Sequence, residues 1–279
     1  MSLNETISDQ QLLLIEKIMQ VKTGKDLHQF KRPFLNRRIN ARMKAVGVRD
    51  GSEYAKLLES DSIEPSALFK SFSINVTEFY RDSFVWECMS SKIIPQILKN
   101  NGTLSLQIWS AGCASGEEPY SIAILLKEVI GTKNVKFNII ATDISIDAIN
   151  RAKQGQYLSQ SLKNLSPNVI TKYFTPINNN TYQINESLKQ LVTFQHGDII
   201  SFPVERVNLI TCRNVLIYYD KPAQELIYKK FHKTLNDDGY LVIGQDETML
   251  GVGTAKSFSC ILPRERIYSK LASGGNTVA

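Results

Sequence analysis

The first part of the chain carries apolar residues at helical spacing. The segment "QQLLLIEKIMQ" is densely apolar, and "FLNRRINARMKAVGV" places Leu35, Ile39, Met43 and Val46 on one helical face. Further segments with helical periodicity follow at "SEYAKLLES" and "PSALFKSFSI", and no strand pattern interrupts them. The pattern therefore predicts a small all-α domain over residues 1–75.

From about residue 104 the pattern changes to strands alternating with helices. Strands are predicted at "LSLQIWS", "VKFNIIATD", "LVTFQHGD", "RVNLITCRN" and "YLVIGQD". They alternate with predicted helices such as "EEPYSIAILLKEVI", "SIDAINRAKQG" and "PAQELIYKKFHKTL". A turn is predicted at "NDDG", and a closing strand pair at "SFSCILPRERIYSK". This alternation predicts an α/β domain with a doubly wound, mostly parallel sheet over residues 104–270. Residues 76–103 are predicted as a linker, and residues 271–279 as a flexible tail.

One stretch interrupts the alternation and is too long for a simple connection. It contains a short helix and an Asn-rich turn between "KYF" and "TYQI". We predict a small hairpin subdomain inserted in the sheet domain at about residues 156–190.

Composition predicts a soluble protein of a reducing cytoplasm. The 279 residues are 43% hydrophobic, enough for a sizeable core without covalent staples. The four cysteines lie far apart with no CxxC pair, and the first residues do not resemble a leader. No run approaches the roughly 20 uninterrupted apolar residues of a membrane span.

The net charge of +6 is distributed unevenly. Nine basic residues and one acidic residue fall between positions 22 and 49. Such a segment is suited to an anionic partner, because solvated helix faces usually mix the two signs of charge. A solvated basic face remains the open alternative.

Small or polar residues follow four predicted strands. The turn "GCASGEE" follows the first strand, and Asp143, Asp198 and Asn214 follow the second, third and fourth. Ligands of open parallel sheets bind beyond the carboxyl ends of the strands, so these residues are predicted to meet at one site.

The first turn argues against a dinucleotide. Its glycines are four apart rather than in a GxGxxG pattern, and Glu117 and Glu118 would repel a pyrophosphate at the helix N-terminus. S-adenosylmethionine, with a positive sulfonium and ribose hydroxyls, fits such acids better, and Asp143 stands where ribose-binding acids stand. The alternatives are helix-terminal charges for the two glutamates and a helix cap for Asp143.

The chain resembles the chemotaxis receptor glutamate methyltransferases of the CheR family along nearly its whole length. The resemblance lies in "NVTEFYRD", "WSAGCASGEEPYSIAI", "ATDIS", "CRNVLIYYD" and "DDGYLVIGQDE", which occur in the family's order. Departures are Tyr80 where the family has a second Phe, Gln245 and Asp246 where "HSE" is common, and Asp198 where many relatives have Asn.

The resemblance implies S-adenosylmethionine as cofactor, S-adenosylhomocysteine as product, and no metal. It also implies that the linker of residues 76–103 covers the cofactor. The implied cofactor-binding residues are Asn75, Thr77, Arg81, Gly112, Glu117, Asp143, Asp198, Ile199, Asn214 and Val215. Glu117 is preferred to Glu118 for the charged end of the cofactor because it directly follows Gly116.

The implied reaction methylates glutamate side chains of chemoreceptors. A glutamate carboxylate has an ordinary pKa of about 4.3 and is already a nucleophile at neutral pH, so no general base is needed. Arg81 and Tyr218 are the candidate catalytic residues, because an arginine can hold a carboxylate and a tyrosine can donate a hydrogen bond to it. Arg81 could serve the cofactor instead, and Tyr218 could be packed aromatic surface.

The implied partner is the cytoplasmic domain of methyl-accepting chemotaxis receptors, whose acid-rich coiled coils suit the basic helix around Arg38 and Arg42. A monomer is expected, without nucleic acid and without direct membrane insertion. Two alternatives remain: a nucleic-acid methyltransferase, and a non-catalytic regulatory scaffold that binds S-adenosylmethionine.

Overall fold

The computed structural model describes residues 7–73, 76–101 and 105–271. The predicted cofactor residue Asn75 lies outside the described residues, as do residues 272–279 of the predicted tail. Among the helices of these ranges, none combines the length and apolar character that crossing a membrane requires.

The chain forms two compact units. The helical unit comprises the described residues up to position 73 together with Tyr218–Gln224, and the sheet unit comprises the other described residues. In the helical unit, the backbone N–H of Lys31 donates to the carbonyl of Tyr218 at 2.9 Å, and that of Asp220 donates to Gln29 at 2.9 Å. The predicted sheet domain of residues 104–270 included the 218–224 segment, which the structure assigns to the helical unit.

The helical unit is built from four helices, as the periodicity predicted. They are α1 (Asp9–Thr23), α2 (Arg32–Val46), α3 (Gly51–Ser60) and α4 (Glu64–Ser71).

The local sequence pattern was sufficient to predict the ends of helix α2 and most of its buried face. A proline lies in its first turn, and Gly47 ends it with a φ of 79°, which favours glycine. Leu35, Ile39 and Met43 are buried, whereas Val46 at the end of the helix is exposed. The prediction of an apolar face was therefore right for three of its four residues.

The sheet unit begins with helices that the sequence analysis did not detect and continues with the alternation that it predicted. Its helices are α5 (Ser83–Cys88), α6 (Ile94–Asn101), α7 (Glu117–Ile130), α8 (Ile146–Gln154), α9 (Pro167–Tyr173), α10 (Glu186–Lys189) and α11 (Lys221–Thr234, whose first four residues belong to the helical unit). Its strands are β1 (Ser105–Ala111), β2 (Lys136–Asp143), β3 (Gln156–Leu158), β4 (Phe174–Asn178), β5 (Thr181–Ile184), β6 (Val192–His196), β7 (Val207–Cys212), β8 (Leu235–Ile243), β9 (Phe258–Leu262) and β10 (Ile267–Lys270). A π-helical turn, Met89–Ile93, joins α5 to α6, so that most of the predicted linker is helical.

The main sheet has seven strands in the order β6-β2-β1-β7-β8-β10-β9. Strands β6, β2, β1, β7 and β8 are parallel, and β10 and β9 close one edge in antiparallel orientation. The order reverses between β1 and β7, and the α/β, doubly wound, mostly parallel fold class is confirmed. This reversal is the point at which such sheets bind ligands.

The register brings the carboxyl ends of the parallel strands to the same level. Ala111 of β1 lies beside Thr142 of β2, and Ser110 lies beside Thr211 of β7. Asp143 of β2 lies beside His196 of β6. The turns that leave these strands therefore start side by side.

The inserted segment forms a three-stranded antiparallel sheet in the order β3-β5-β4. Strands β4 and β5 form the predicted hairpin, and β3 pairs with β5 from the other side. The third strand was not predicted because its three residues are too few to show a period.

The predicted turn "NDDG" is instead part of strand β8. The register between β7 and β8 shifts there: Val207 pairs with Leu235, and Leu209 pairs with Tyr240. Residues 236–239 are accommodated as a bulge in the strand pair. Their composition, typical of a turn, could not distinguish this bulge from a true turn.

Candidate functional site

The turn after β1 is a tight loop pinned to the end of β2. Gly112, Ala114 and Gly116 have φ angles of 80°, 48° and 98°. The backbone N–H groups of Gly112 and Cys113 donate to the carbonyl of Thr142 at 2.8 and 2.9 Å. Left-handed backbone favours glycine, which explains the two glycines of the motif.

Both glycines are also needed because neighbouring groups lie against them. A Cβ at Gly112 would lie 2.4 Å from a methyl group of Val215, and a Cβ at Gly116 would lie 2.9 Å from both the Cβ of Ala152 and the hydroxyl of Tyr157. The turn therefore packs directly on the segment after β7, which brings two predicted cofactor residues, Gly112 and Val215, together.

Glu117 begins α7 as a buried carboxylate. Its Oε2 accepts a hydrogen bond from the Ser115 hydroxyl at 2.8 Å, and within the described part of the chain it forms no ion pair. Burial raises the pKa of Glu117, and the Ser115 hydrogen bond, its own backbone N–H and the positive charge of Arg151 act in the opposite direction. The site therefore holds a carboxylate that lacks a cation.

Glu118 has different surroundings. Its Oε1 accepts hydrogen bonds from the hydroxyls of Ser110 at 2.9 Å and Thr211 at 2.6 Å. Its Oε2 lies 3.8 Å from Nη1 of Arg213. Since protein groups already occupy this carboxylate, the choice of Glu117 over Glu118 for a cationic ligand has a structural reason that the sequence did not supply.

Asp143 ends β2 and organises two turns. Its Oδ2 accepts from the backbone N–H of Ala114 at 2.9 Å, and its Oδ1 accepts from that of Ser145 at 2.8 Å. Burial raises its pKa, and these two hydrogen bonds lower it. Ser145, which accepts from Ala148, is the side-chain cap of α8, so the alternative role of Asp143 as that cap is not observed. Each carboxylate oxygen keeps a lone pair for a further donor.

The segment after β6 lies beside Asp143. The N–H of Gly197 donates to the carbonyl of Asp143 at 3.0 Å. Asp198 is the residue directly after Gly197. The Asp198 carboxylate accepts from the N–H of Ile200 at 2.7 Å, and Ile199 is buried.

The turn after β7 is held by a buried carboxylate that sequence analysis missed. Oε1 of Glu247 accepts from the N–H groups of Val215 and Leu216, both at 2.7 Å, and Oε2 accepts from the N–H of Gly244. Asn214 has a φ of 61°. Burial raises the pKa of Glu247, and its backbone donors lower it. Glu247 stands in the "DDGYLVIGQDE" motif, so a charged residue beside a buried strand was the available signal.

The "NVTEFYRD" segment contributes Thr77 and Arg81, both partly buried. Nη1 of Arg81 donates to the carbonyl of Val76 at 3.3 Å. Tyr80 and Asp82, on either side of Arg81, have φ angles of 49° and 59°.

Arg213, directly after β7, is a second residue that the sequence analysis missed. Its side chain is 3% exposed, and Nη2 donates to the carbonyl of Arg81 at 2.9 Å and to the Asp82 carboxylate at 2.6 Å. It lies within the "CRNVLIYYD" motif, where a charged residue after a fully buried strand was the available signal.

Three predicted site residues lie in the helical unit. The Tyr218 ring packs 4.8 Å from the Phe34 ring, which agrees with the alternative of packed aromatic surface. The Arg38 guanidinium lies 5.5 Å from the same Phe34 ring, and its buried Nε has no hydrogen-bond partner among the residues that the structure describes. Burial and neighbouring Arg37 lower the pKa of Arg38.

Arg42, the third, is bound within the unit. Its Nε and Nη2 donate to the two oxygens of Glu64 at 3.0 and 2.6 Å, and the Tyr54 hydroxyl donates to Glu64 at 2.6 Å. Arg38 and Arg42 were predicted as a pair for one partner, but the guanidinium of Arg42 has an internal partner.

The chemistry of the strand ends fits the predicted cofactor. Glu117 offers a buried negative charge, Asp143 offers free lone pairs to hydroxyl donors, and the glycine turn keeps side chains out of the space beside Val215. No group of three or more His, Cys, Asp or Glu side chains in the described ranges is arranged to hold a metal ion.

Comparisons with known proteins agree with both units. Residues 75–263 match the family model described as CheR methyltransferase, SAM binding domain, and residues 10–73 match the CheR methyltransferase, all-alpha domain.

Three similar proteins are each named chemotaxis protein methyltransferase. The protein of Borreliella burgdorferi is 34% identical over 272 residues, which cover 94% of this chain and 95% of the relative. The protein of Listeria monocytogenes is 30% identical, covering 88% and 95%, and that of Escherichia coli is 30% identical, covering 86% and 85%. With its larger unit and its helical unit both matched, the chain belongs to the CheR methyltransferase family.

Proposed function

We propose that the protein transfers a methyl group from S-adenosylmethionine to glutamate side chains of chemoreceptors, forming glutamate methyl esters during chemotaxis adaptation. The observation that carries the proposal is the buried carboxylate of Glu117, which forms no ion pair with any described residue, in a chain of the CheR family. It follows the turn whose Ala114 N–H donates to Asp143. We assign the cofactor to the sheet unit.

The residues at the strand ends would divide the cofactor among them. Glu117 would bind its positively charged end, and Asp143 would accept hydrogen bonds from the ribose hydroxyls. Asp198 and Ile199 would line the adenine, and Asn214 would line the methionine part. Gly112, Val215, Thr77 and Asn75 complete the proposed set.

The chain's residues need to supply alignment rather than proton transfer. When bound, S-adenosylmethionine supplies the activated methyl group, and a substrate glutamate is ionised at neutral pH. Arg81 would hold either this carboxylate or the cofactor, and Tyr218 would donate a hydrogen bond to the carboxylate. Exclusion of water from a site of this kind strengthens both contacts.

The helical unit supplies the proposed receptor-binding surface. Arg37 and Lys44 on α2 are exposed, Arg38 is partly exposed, and the buried Nε of Arg38 has no acceptor within the described ranges. This positive surface would attract an acid-rich coiled coil in the cytoplasmic domain of a receptor. We further propose that the protein acts in the cytoplasm and as a monomer.

The test is transfer of a labelled methyl group from S-adenosylmethionine to a purified receptor cytoplasmic fragment. We expect label on the receptor that base releases as methanol, because carboxylate esters hydrolyse in base. A matched fragment with its acceptor glutamates changed to alanine is the control. Base-stable label on RNA or DNA would favour a nucleic-acid methyltransferase, and cofactor binding without any transfer would favour a regulatory scaffold.

A further inference from the structure

Arg213 forms a buried ion pair that joins distant parts of the sheet unit. Its Nη2 donates to the Asp82 carboxylate at 2.6 Å and to the main-chain carbonyl of Arg81 at 2.9 Å. The guanidinium lies 5.7 Å from the ring of Trp86. A charge with 3% side-chain exposure is retained only where its partners are well placed.

The segment that Arg213 contacts has an unfavourable backbone conformation. Tyr80 and Asp82, on either side of Arg81, both have left-handed φ angles although neither is glycine. Such a conformation persists only where the surrounding structure fixes it. Besides Arg213, further hydrogen bonds fix this segment: Trp86 Nε1 donates to the Arg81 carbonyl at 2.8 Å, and the Tyr80 N–H donates to the Ser121 hydroxyl at 3.1 Å. The Val85 N–H donates to the Asp82 carbonyl at 2.9 Å.

Arg213 is itself connected to the ends of the central strands. Its Nη1 lies 3.8 Å from Glu118, whose carboxylate accepts from Ser110 of β1 and Thr211 of β7. One continuous network therefore runs from the two strand ends through Glu118 and Arg213 to the Asp82 turn.

The main chain and the side chain of Arg81 differ in how firmly they are held. Its carbonyl accepts two hydrogen bonds, from Arg213 and Trp86. Its partly exposed guanidinium makes, within the described ranges, a single long hydrogen bond to Val76. This arrangement fixes where the side chain starts and leaves its charged end available to a ligand.

We propose that Arg213 is a positioning residue, which holds the turn around Arg81 so that the Arg81 guanidinium is directed to the cofactor or to the substrate carboxylate. The inference rests on the proposed function, because it assigns a purpose to the placement of Arg81. Arg213 touches neither ligand in this account and acts through the Arg81 carbonyl and Asp82.

A double-mutant cycle separates positioning from general support of the fold. The variants are Arg213→Met, Arg81→Ala and the double variant, each titrated with S-adenosylhomocysteine and assayed for single-turnover methyl transfer. Arg213 contacts the carbonyl of Arg81, so Arg81→Ala leaves that contact in place. We expect Arg213→Met to reduce affinity or transfer rate about tenfold in the wild type and less than about twofold in the Arg81→Ala background. Equal losses in both backgrounds, in both assays, would overturn the inference.

Two further variants test whether the loss in Arg213→Met comes only from a general loss of stability. Lys270→Met removes another cation of the sheet unit, whose side chain is 10% exposed. Its Nζ donates to the carbonyl of Leu235, the first residue of β8, at 2.8 Å and lies 3.1 Å from the Asp237 carboxylate. This variant should lower the melting temperature without changing ligand affinity. Asp82→Asn keeps a residue that tolerates left-handed backbone but removes the charge.

Asp82→Asn also decides the question if Arg213→Met does not fold. We expect an affinity or transfer loss of about fivefold that again disappears in the Arg81→Ala background. A loss that persists there would contradict positioning. A wild type that binds no S-adenosylhomocysteine would overturn the proposed function and this inference together, whereas binding with additive losses would overturn the inference alone.

Discussion

Glu64 in the helical unit and Glu117 in the sheet unit are both buried carboxylates, but their surroundings are opposite. In the helical unit, Glu64 receives two hydrogen bonds from Arg42 and one from Tyr54, so the protein itself neutralises its charge. In the sheet unit, Glu117 receives one bond from the neutral Ser115 hydroxyl, and burial raises the pKa of Glu117.

The difference separates structure from function. A carboxylate that is bound to an internal cation stabilises the fold and has little left for a ligand. A carboxylate buried without a cation destabilises the empty fold, and such groups cluster at functional sites. Adjacent Glu117 and Glu118 show the same contrast within one helical turn, since only Glu118 has Arg213 nearby.

The largest expected effect is on the internal pair of the helical unit. Glu64→Leu would leave the Arg42 guanidinium and the Tyr54 hydroxyl unpaired, and we expect the free energy of unfolding to fall by about 3 kcal/mol. Chemical denaturation followed by circular dichroism measures this. The double variant Arg42→Met with Glu64→Leu should recover part of the loss, because the stranded charge is gone. No recovery would show that the pair is not the source of the stability.

The second effect concerns Glu117 and should have the opposite sign on stability. Glu117→Gln removes a charge that burial disfavours, so the melting temperature of the ligand-free protein should stay equal or rise. Affinity for S-adenosylmethionine should fall about 100-fold. Glu205→Gln, at an exposed carboxylate before β7, is the matched control and should change neither quantity. A stability loss without an affinity loss would contradict the distinction drawn between Glu64 and Glu117.

The third effect is a dependence of affinity on pH. Because burial raises the pKa of Glu117 and Asp143, the folded protein takes up protons on these groups before the unfolded chain does. Their contribution to stability therefore increases as pH falls through the raised values, whereas a cationic ligand needs the ionised forms. From about pH 7 to about pH 5 we expect cofactor affinity to fall about fivefold, with a flatter profile in Glu117→Gln. A profile that Glu117→Gln does not flatten would contradict the assignment.

The smallest effect concerns the basic surface of α2. Arg38→Gln should lower receptor methylation about fivefold at low salt, less at high salt, and leave cofactor affinity unchanged. Lys99→Gln makes the same charge change at an exposed position of the sheet unit and should leave methylation unchanged. Since Arg42 is bound to Glu64, Arg38 tests the surface more cleanly than Arg42 does. Equal effects of Arg38→Gln and Lys99→Gln would show only a dependence on net charge.

Most of the fold could be predicted because its signals are local. Pro33 and Gly47 bracket α2, and strand-helix alternation gave the parallel sheet. The helices after Ser83 and the three-residue strand β3 were missed, and the bulge at Asn236 was taken for a turn. In these segments pairing and packing with distant residues determine the structure, and a short local pattern carries no information about them.

The candidate site divides in the same way. Sequence alone predicted Asp143 and Asp198 as candidate site residues, because residues at strand ends are gathered by the topology of the sheet. It did not identify Arg213 or Glu247 as site residues. Arg213 and Asp82 are 131 positions apart, and nothing in either local segment indicates its partner.

Calorimetric titration would show whether the strand ends of the sheet unit bind S-adenosylmethionine. The wild type and Asp143→Ala would each be titrated with S-adenosylmethionine and S-adenosylhomocysteine. We expect the wild type to bind both ligands and Asp143→Ala to bind neither. A wild type that binds neither ligand, or an Asp143→Ala protein that binds as tightly as the wild type, would contradict it.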